Sequence, residues 1–140
     1  AKEAVNSLKQ LIKGGLTSVF VIGDAKINGI KDDFIRLFKN LIENSIKYND
    51  KTKKEINVDI SEDKTFVTLS LKDNGIGIKK EDQSRIFERF FTVDKSRSKE
   101  LGGTGLGLAI VKHIVEYYQG TIEVNSKIGL GTEMIFKLKK

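Results

Sequence analysis

Apolar and polar positions change rhythm several times along this chain, and each change marks an element. Val5, Leu8, Leu11 and Ile12 recur at helical spacing, and Gly14-Gly15 ends that segment. Thr17 to Ile22 is a β-branched and aromatic run that reads as a strand, with residues 25–30 a candidate second one. Asp32 or Asp33 is placed to cap a long helix running to about Tyr48. Ile56, Val58 and Ile60 alternate with Asn57, Asp59 and Ser61, and Val67, Leu69 and Leu71 repeat the alternation after a Glu-Asp-Lys turn, which predicts a hairpin. A short helix is expected from about Glu81 to Phe91. A second long one follows from about Gly105 to Gln119, with Gly120 as its left-handed cap. Strands at 122–125 and 132–138, joined by a turn holding Gly129 and Gly131, close the chain. Helices with mostly hairpin-connected strands on this scale predict a two-layer α/β (α+β) sandwich with helices on one face.

Composition narrows the classes. At 140 residues the chain can close one core, and 39% hydrophobic with 31% charged residues is ordinary for a globular protein. Without cysteine, neither a disulfide nor a thiolate site can exist. No apolar run approaches the ~20 residues of a membrane span, and no signal-peptide pattern opens the chain. The net charge of +6 comes largely from dispersed lysines, which make a solvated surface. Nucleic-acid binding would instead call for basic residues clustered with aromatics on one face, so none is expected.

Three stretches carry candidate chemistry. On a wheel at ~100° per residue, Phe34, Ile35, Leu37, Phe38, Leu41, Ile42 and Ile46 fill one half of the first long helix. Asn40, Asn44 and Lys47 share a narrow sector beside that face, with Tyr48 at its boundary. Carboxamide oxygens can ligate magnesium and an ammonium can meet phosphate, although asparagines can equally hydrogen-bond backbone. Asp73-Asn74-Gly75-Ile76-Gly77 follows a strand, where it is either a plain turn or a carboxylate presented beside glycines that let a ligand approach backbone. Gly102-Gly103-Thr104-Gly105-Leu106-Gly107 opens a helix, and bare amides at such a terminus suit a phosphate chain. The spacing is neither a P-loop nor a dinucleotide-binding turn.

In combination the motifs are specific. Asn40-Leu-Ile-Glu-Asn44-Ser-Ile-Lys47-Tyr48, Asp73-Asn-Gly-Ile-Gly77, Phe87-Glu-Arg-Phe90 and Gly103-Thr-Gly-Leu-Gly107, in this order, resemble the N, G1, F and G2 boxes of the ATP-binding domain of bacterial sensor histidine kinases. The resemblance covers roughly residues 30 to 138. It implies the Bergerat-type fold shared with gyrase, Hsp90 and MutL ATPases, a mixed and mostly antiparallel sheet with helices on one face and ATP between them. It further implies that Asn44 holds Mg2+ with Asn40 as polar support. Lys47 would meet the phosphates and Tyr48 would pack near the nucleotide. Asp73 would read the adenine amine, with Gly75, Gly77 and Ile78 at the pocket wall. Gly103, Thr104, Gly105, Leu106 and Gly107 would present amides to the phosphates. Phe87 and Phe90 would anchor a lid over 92–103. Many members carry Tyr-Arg where this chain has Phe91-Thr92; either Arg97, Lys95 or Lys99 substitutes for that arginine, Arg97 being favoured as the better fork for phosphate oxygens, or γ-phosphate handling is weaker.

Gyrase-like relatives place a water-activating glutamate where this chain has Asn40, and Glu43 lies ~100° around the helix from Asn44. The resemblance therefore implies phosphoryl transfer by positioning and charge neutralisation rather than hydrolysis. The nucleophile is not in the chain. His113 shares a polar stripe with Lys112, Glu116 and Gln119 and reads as a surface residue. The expected organisation is a connecting segment or first helix over 1–15 and an ATP-binding kinase core over 16–140. Expected partners are a helical phosphoacceptor domain of a dimeric parent and a response regulator downstream. The domain would be cytoplasmic, touching membrane only through other parts of a sensor parent. A nucleotide-gated interaction module and an anti-sigma-factor-type serine kinase are the alternatives.

Overall fold

The computed structural model describes residues 17–23, 25, 27, 29–89 and 107–140. The elements are β1 (Thr17–Gly23), α1 (Lys31–Lys47), β2 (Lys54–Glu62), β3 (Phe66–Asp73), the single turn α2 (Lys80–Gln83), α3 (Gly107–Tyr117), β4 (Thr121–Lys127) and β5 (Gly131–Lys139). The strands form one five-stranded sheet in the order β1-β2-β3-β5-β4. β1 runs parallel to β2, and every other pairing is antiparallel. A parallel pair needs a crossover, and α1 supplies it.

Period-2 alternation decides which face of the sheet is covered. Ile56, Val58 and Ile60 on β2, Val67, Leu69 and Leu71 on β3, and Met134, Phe136 and Leu138 on β5 are all buried. Asn57, Asp59, Lys72 and Lys137, one position off, are exposed on the opposite face. Against the apolar face α1 lays Phe34, Leu37, Phe38, Leu41 and Ile42, and α3 lays Val111, Ile114 and Val115, making one continuous core. Each such fully buried side chain contributes about 1.5–3 kcal/mol. The fold is the expected two-layer sandwich. Among the described residues no helix is long and apolar enough to cross a membrane.

Several local expectations give way to tertiary contacts. Neither Asp32 nor Asp33 caps α1: the N-cap is Ile30, without a side-chain cap bond. The phenol of Tyr118, just past α3, takes over. Its oxygen accepts from the Ile30 N–H at 3.0 Å and its hydroxyl donates to Asp33 Oδ2 at 2.8 Å. Ala25 and Ile27 lie outside any strand and pack into the core as single apolar anchors. The helix expected over 81–91 stops at Gln83, and turns follow through the described residues to Arg89. Only Ile86 is buried there, too little apolar surface to hold a longer helix.

The second long helix ends at Tyr117, and its left-handed residue is Gln119 (φ 53°) rather than Gly120. The Gly120 N–H reaches Val115 O at 2.8 Å and the Gln119 N–H reaches Glu116 O at 3.0 Å, a Schellman closure. Gly120 is glycine for space instead, since a Cβ there would lie 2.3 Å from Lys137 O of β5.

Candidate functional site

The alternation along β3 does not stop at Leu71. Its next inward position is Asp73, whose partner across the ladder on β5 is Thr132. Ser45 interrupts the apolar face of α1 and is buried nearby, so a polar cluster closes the end of the apolar row. The Gly75 and Thr132 N–H groups donate to Asp73 Oδ1 at 2.9 and 3.2 Å. Ser45 adds a side-chain hydrogen bond. Burial raises the Asp73 carboxyl above the ordinary carboxylate range, and the bonds from Gly75, Ser45 and Thr132 offset part of that rise. The structure thus holds a half-buried carboxylate, with one oxygen fixed by two amides, at the rim of the core.

The loop after Asp73 is clamped from both sides. On the α1 side, the Ile76 N–H donates to Tyr48 O at 3.1 Å. On the hairpin side, the Gly129 N–H donates to Ile76 O at 2.9 Å and the Ile78 N–H to Ser126 Oγ at 2.7 Å. Ser126 Oγ also lies 2.8 Å from Thr132 Oγ1. So tight a fit explains the glycines. Gly77 has φ +79° and a Cβ there would meet Lys127 O at 2.2 Å, while one at Gly75 would meet Tyr48 O at 2.6 Å.

Along α1, Asn40, Asn44, Lys47 and Tyr48 are all partly buried, and Glu43 is exposed, as the wheel predicts. Asn40 Nδ2 donates to Arg36 O at 2.8 Å, so this carboxamide does use backbone. Its oxygen faces the start of α3, 3.3 Å from where a Cβ on Gly107 would sit. The packing therefore unites the first glycine of α3 with the polar stripe of α1. Lys47 Nζ lies over the Tyr48 ring, 5.7 Å from its centroid.

The donor set can also be tested against magnesium. Among the described residues no cluster of three or more His, Cys, Asp or Glu could hold a metal ion. What α1 offers is carboxamide oxygen at Asn44 and Asn40. That fits Mg2+ held by few protein ligands, with phosphate oxygens and water completing its shell. It does not fit a cage built from protein alone.

Lys95, Arg97, Gly103, Thr104, Gly105 and Leu106, along with Phe90 and the expected lid over 92–103, lie outside the described residues. Phe87 is described and packs against the core. His113 is exposed, on the same side of α3 as the Lys112–Glu116 ion pair. Ser45, Asn49, Ser126 and Thr132 join the site without having been singled out in the sequence. A signal existed for two of them. Ser45 interrupts an otherwise apolar helix face, and Thr132 stands at an inward strand position that continues the row of Met134, Phe136 and Leu138.

Comparison with known proteins places this geometry. Residues 29–140 match the family of histidine kinase-, DNA gyrase B-, and HSP90-like ATPases. Sensor histidine kinase WalK of Bacillus subtilis is 40% identical over 109 residues, which cover 77% of this chain. Sensor protein kinase WalK of Staphylococcus haemolyticus is 41% identical over 109 residues, covering 76%. The chain spans only 18% of the length of either relative. The mycobacterial sensor histidine kinase MprB shares the fold, with a TM-score of 0.80 at 23% identity, covering 99% of this chain and 90% of that one. So does the catalytic domain of histidine kinase ThkA, with a TM-score of 0.79 at 24% identity, covering 99% and 89%. A family match over nearly all described residues, joined to relatives of 40% identity, shows that the chain belongs to the histidine kinase-, gyrase- and HSP90-like ATPases and is homologous to the catalytic domains of sensor histidine kinases.

Proposed function

We propose that this chain binds Mg-ATP and donates its γ-phosphate to a histidine on a separate helical phosphoacceptor domain, with residues 16–140 forming the kinase core. The observation that carries the reading is Asp73. Two amides and Ser45 hold a carboxylate at the rim of an apolar core, where it can accept from an adenine amine. Along α1, Asn44 would give the metal an oxygen with Asn40 beside it, and Lys47 would meet the phosphates. Tyr48, Gly75, Gly77 and Ile78 would wall the pocket. Residues 103–107 would supply amides to the phosphates, and Arg97 and Lys95 would supply charge. The bound magnesium would neutralise phosphate charge, leaving the chain's own residues to position the nucleotide.

Two features favour transfer over hydrolysis. Asn40 is no base, and Glu43 is exposed on α1 outside the polar stripe. In this reading the parent is a dimeric sensor whose kinase core is cytoplasmic, and a response regulator takes the phosphoryl group onward.

The test is thermal unfolding with Mg-ATP, Mg-ADP and Mg-GTP, alongside Asp73→Ala. At ligand about 100-fold above its dissociation constant, binding adds about 2.7 kcal/mol. An adenine-selective shift that Asp73→Ala abolishes supports the site, and an unchanged shift in the variant removes Asp73 from it. Adding a histidine phosphoacceptor domain with labelled ATP then separates transfer from mere binding. Binding without labelling of that domain would leave a nucleotide-gated interaction module.

A further inference from the structure

The base-reading and phosphate-facing halves of the proposed site stand on different elements, and a pair of asparagines ties them together. Asn49 directly follows Tyr48 and is 1% exposed. Its Nδ2 donates to Asn74 Oδ1 at 2.7 Å, and its Oδ1 accepts from the Lys51 N–H at 2.9 Å. Asn74 lies between Asp73 and Gly75. Its Oδ1 also accepts from the Glu55 N–H at 2.9 Å, and its Nδ2 donates to Lys53 O at 3.0 Å. An asparagine before glycine ordinarily spends its side chain on its own turn. Here the Asn74 side chain reaches instead to Asn49, Lys53 and Glu55.

We propose that Asn49 and Asn74 are a positioning pair that fixes Asp73 at its working distance from Asn44, Lys47 and Tyr48, so that one nucleotide can engage both halves together. The proposal rests on the nucleotide reading above. The pair supplements the Ile76–Tyr48 and Asn74–Glu55 backbone bonds and the Ser45 bond to Asp73 with further side-chain bonds that leave little freedom. Polar networks of this kind, once partly broken, loosen the groups they hold, and binding is sensitive to displacements of about an ångström.

The experiment is calorimetric titration of the 140-residue chain with Mg-ATP and Mg-GTP, at a temperature where circular dichroism shows each variant folded. Asn49→Ala, Asn74→Ala, the double variant and the near-isosteric Asn49→Asp are compared. The Asp variant keeps the acceptor for Lys51 but removes the donor to Asn74. Each single change should weaken Mg-ATP binding about tenfold and narrow the preference over Mg-GTP. The double variant should be no weaker than the poorer single one, because both remove one shared contact. Should one alanine variant fail to fold, Asn49→Asp carries the same expectation.

A lowered melting temperature with affinity within about twofold of the unaltered chain would make the pair merely structural and overturn the proposal. So would losses that multiply in the double variant. Failure of the unaltered chain to bind Mg-ATP would instead overturn the nucleotide reading itself, and the pair's assigned role with it.

Discussion

β3 has two ends with opposite chemistry on a single register. Val67, Leu69 and Leu71 point into a dry core between sheet and helices. One step further, the same face carries Asp73, opposite Thr132 and beside Ser45. The apolar end is built for stability, since each side chain gains from leaving water. The polar end holds a carboxylate that burial disfavours in its charged form. A fold that wanted stability alone would continue the row with leucine. The candidate site is therefore the edge of the core itself, left polar, rather than a cavity added elsewhere.

The largest effect that would test this contrast is at the dry end. Phe136→Ala, at 0% exposure, should cost about 3–5 kcal/mol in chemical denaturation. A loss below about 1 kcal/mol would mean that the core is far looser than its burial indicates.

Asp73→Asn sharpens the contrast at the polar end. Because folding raises the Asp73 titration, its contribution to stability is full below the ordinary carboxylate range and is lost as pH rises through the raised value. The amide variant should therefore melt no lower than the unaltered chain at neutral pH and lack that decline, while losing the nucleotide-induced shift of about 2.7 kcal/mol. A variant that melts lower at neutral pH while keeping the shift would reverse the assignment of this end to function.

Smaller still is Tyr118→Phe, which removes the acceptor for the Ile30 N–H and the donor to Asp33. It should cost about 1–2 kcal/mol with nucleotide affinity unchanged, since this contact lies at the other end of α1 from Lys47 and Tyr48. The smallest is His113→Gln, expected to stay within about 0.5 kcal/mol and to leave the proposed phosphoryl transfer intact. A variant dead in transfer would make this exposed histidine part of the chemistry.

Legibility in the sequence followed the range of the interactions. The β2–β3 hairpin, the buried face of α1 and the closing strands could be read because alternation and helical spacing are local. The pattern also led to the Asp73 loop and the asparagine stripe, through glycines and carboxamides adjacent in sequence. Interactions that join distant residues were not readable. Tyr118 replaces an aspartate cap from 85 residues away, and Thr132 completes the Asp73 cradle from 59. Gly120 stands where the helix pattern predicts a glycine, but for a different physical reason. Its glycine answers to a β5 carbonyl, whereas left-handed backbone falls on Gln119. Asn49 gave no signal, because one asparagine after a helix resembles any other polar residue until its partner is known.

The β3–β5 pairing has a consequence for time as well as shape. β2–β3 and β4–β5 are hairpins of neighbouring strands, whereas β3 and β5 meet across a much longer stretch of chain. Closing local hairpins takes microseconds, and long-range pairing must first meet the entropy of a large loop. Asp73 and Thr132 lie on either side of that late seam. The site is then complete only when the two hairpins have docked. A nucleotide held as proposed, by groups on both sides of this seam, should therefore slow unfolding far more than it speeds folding.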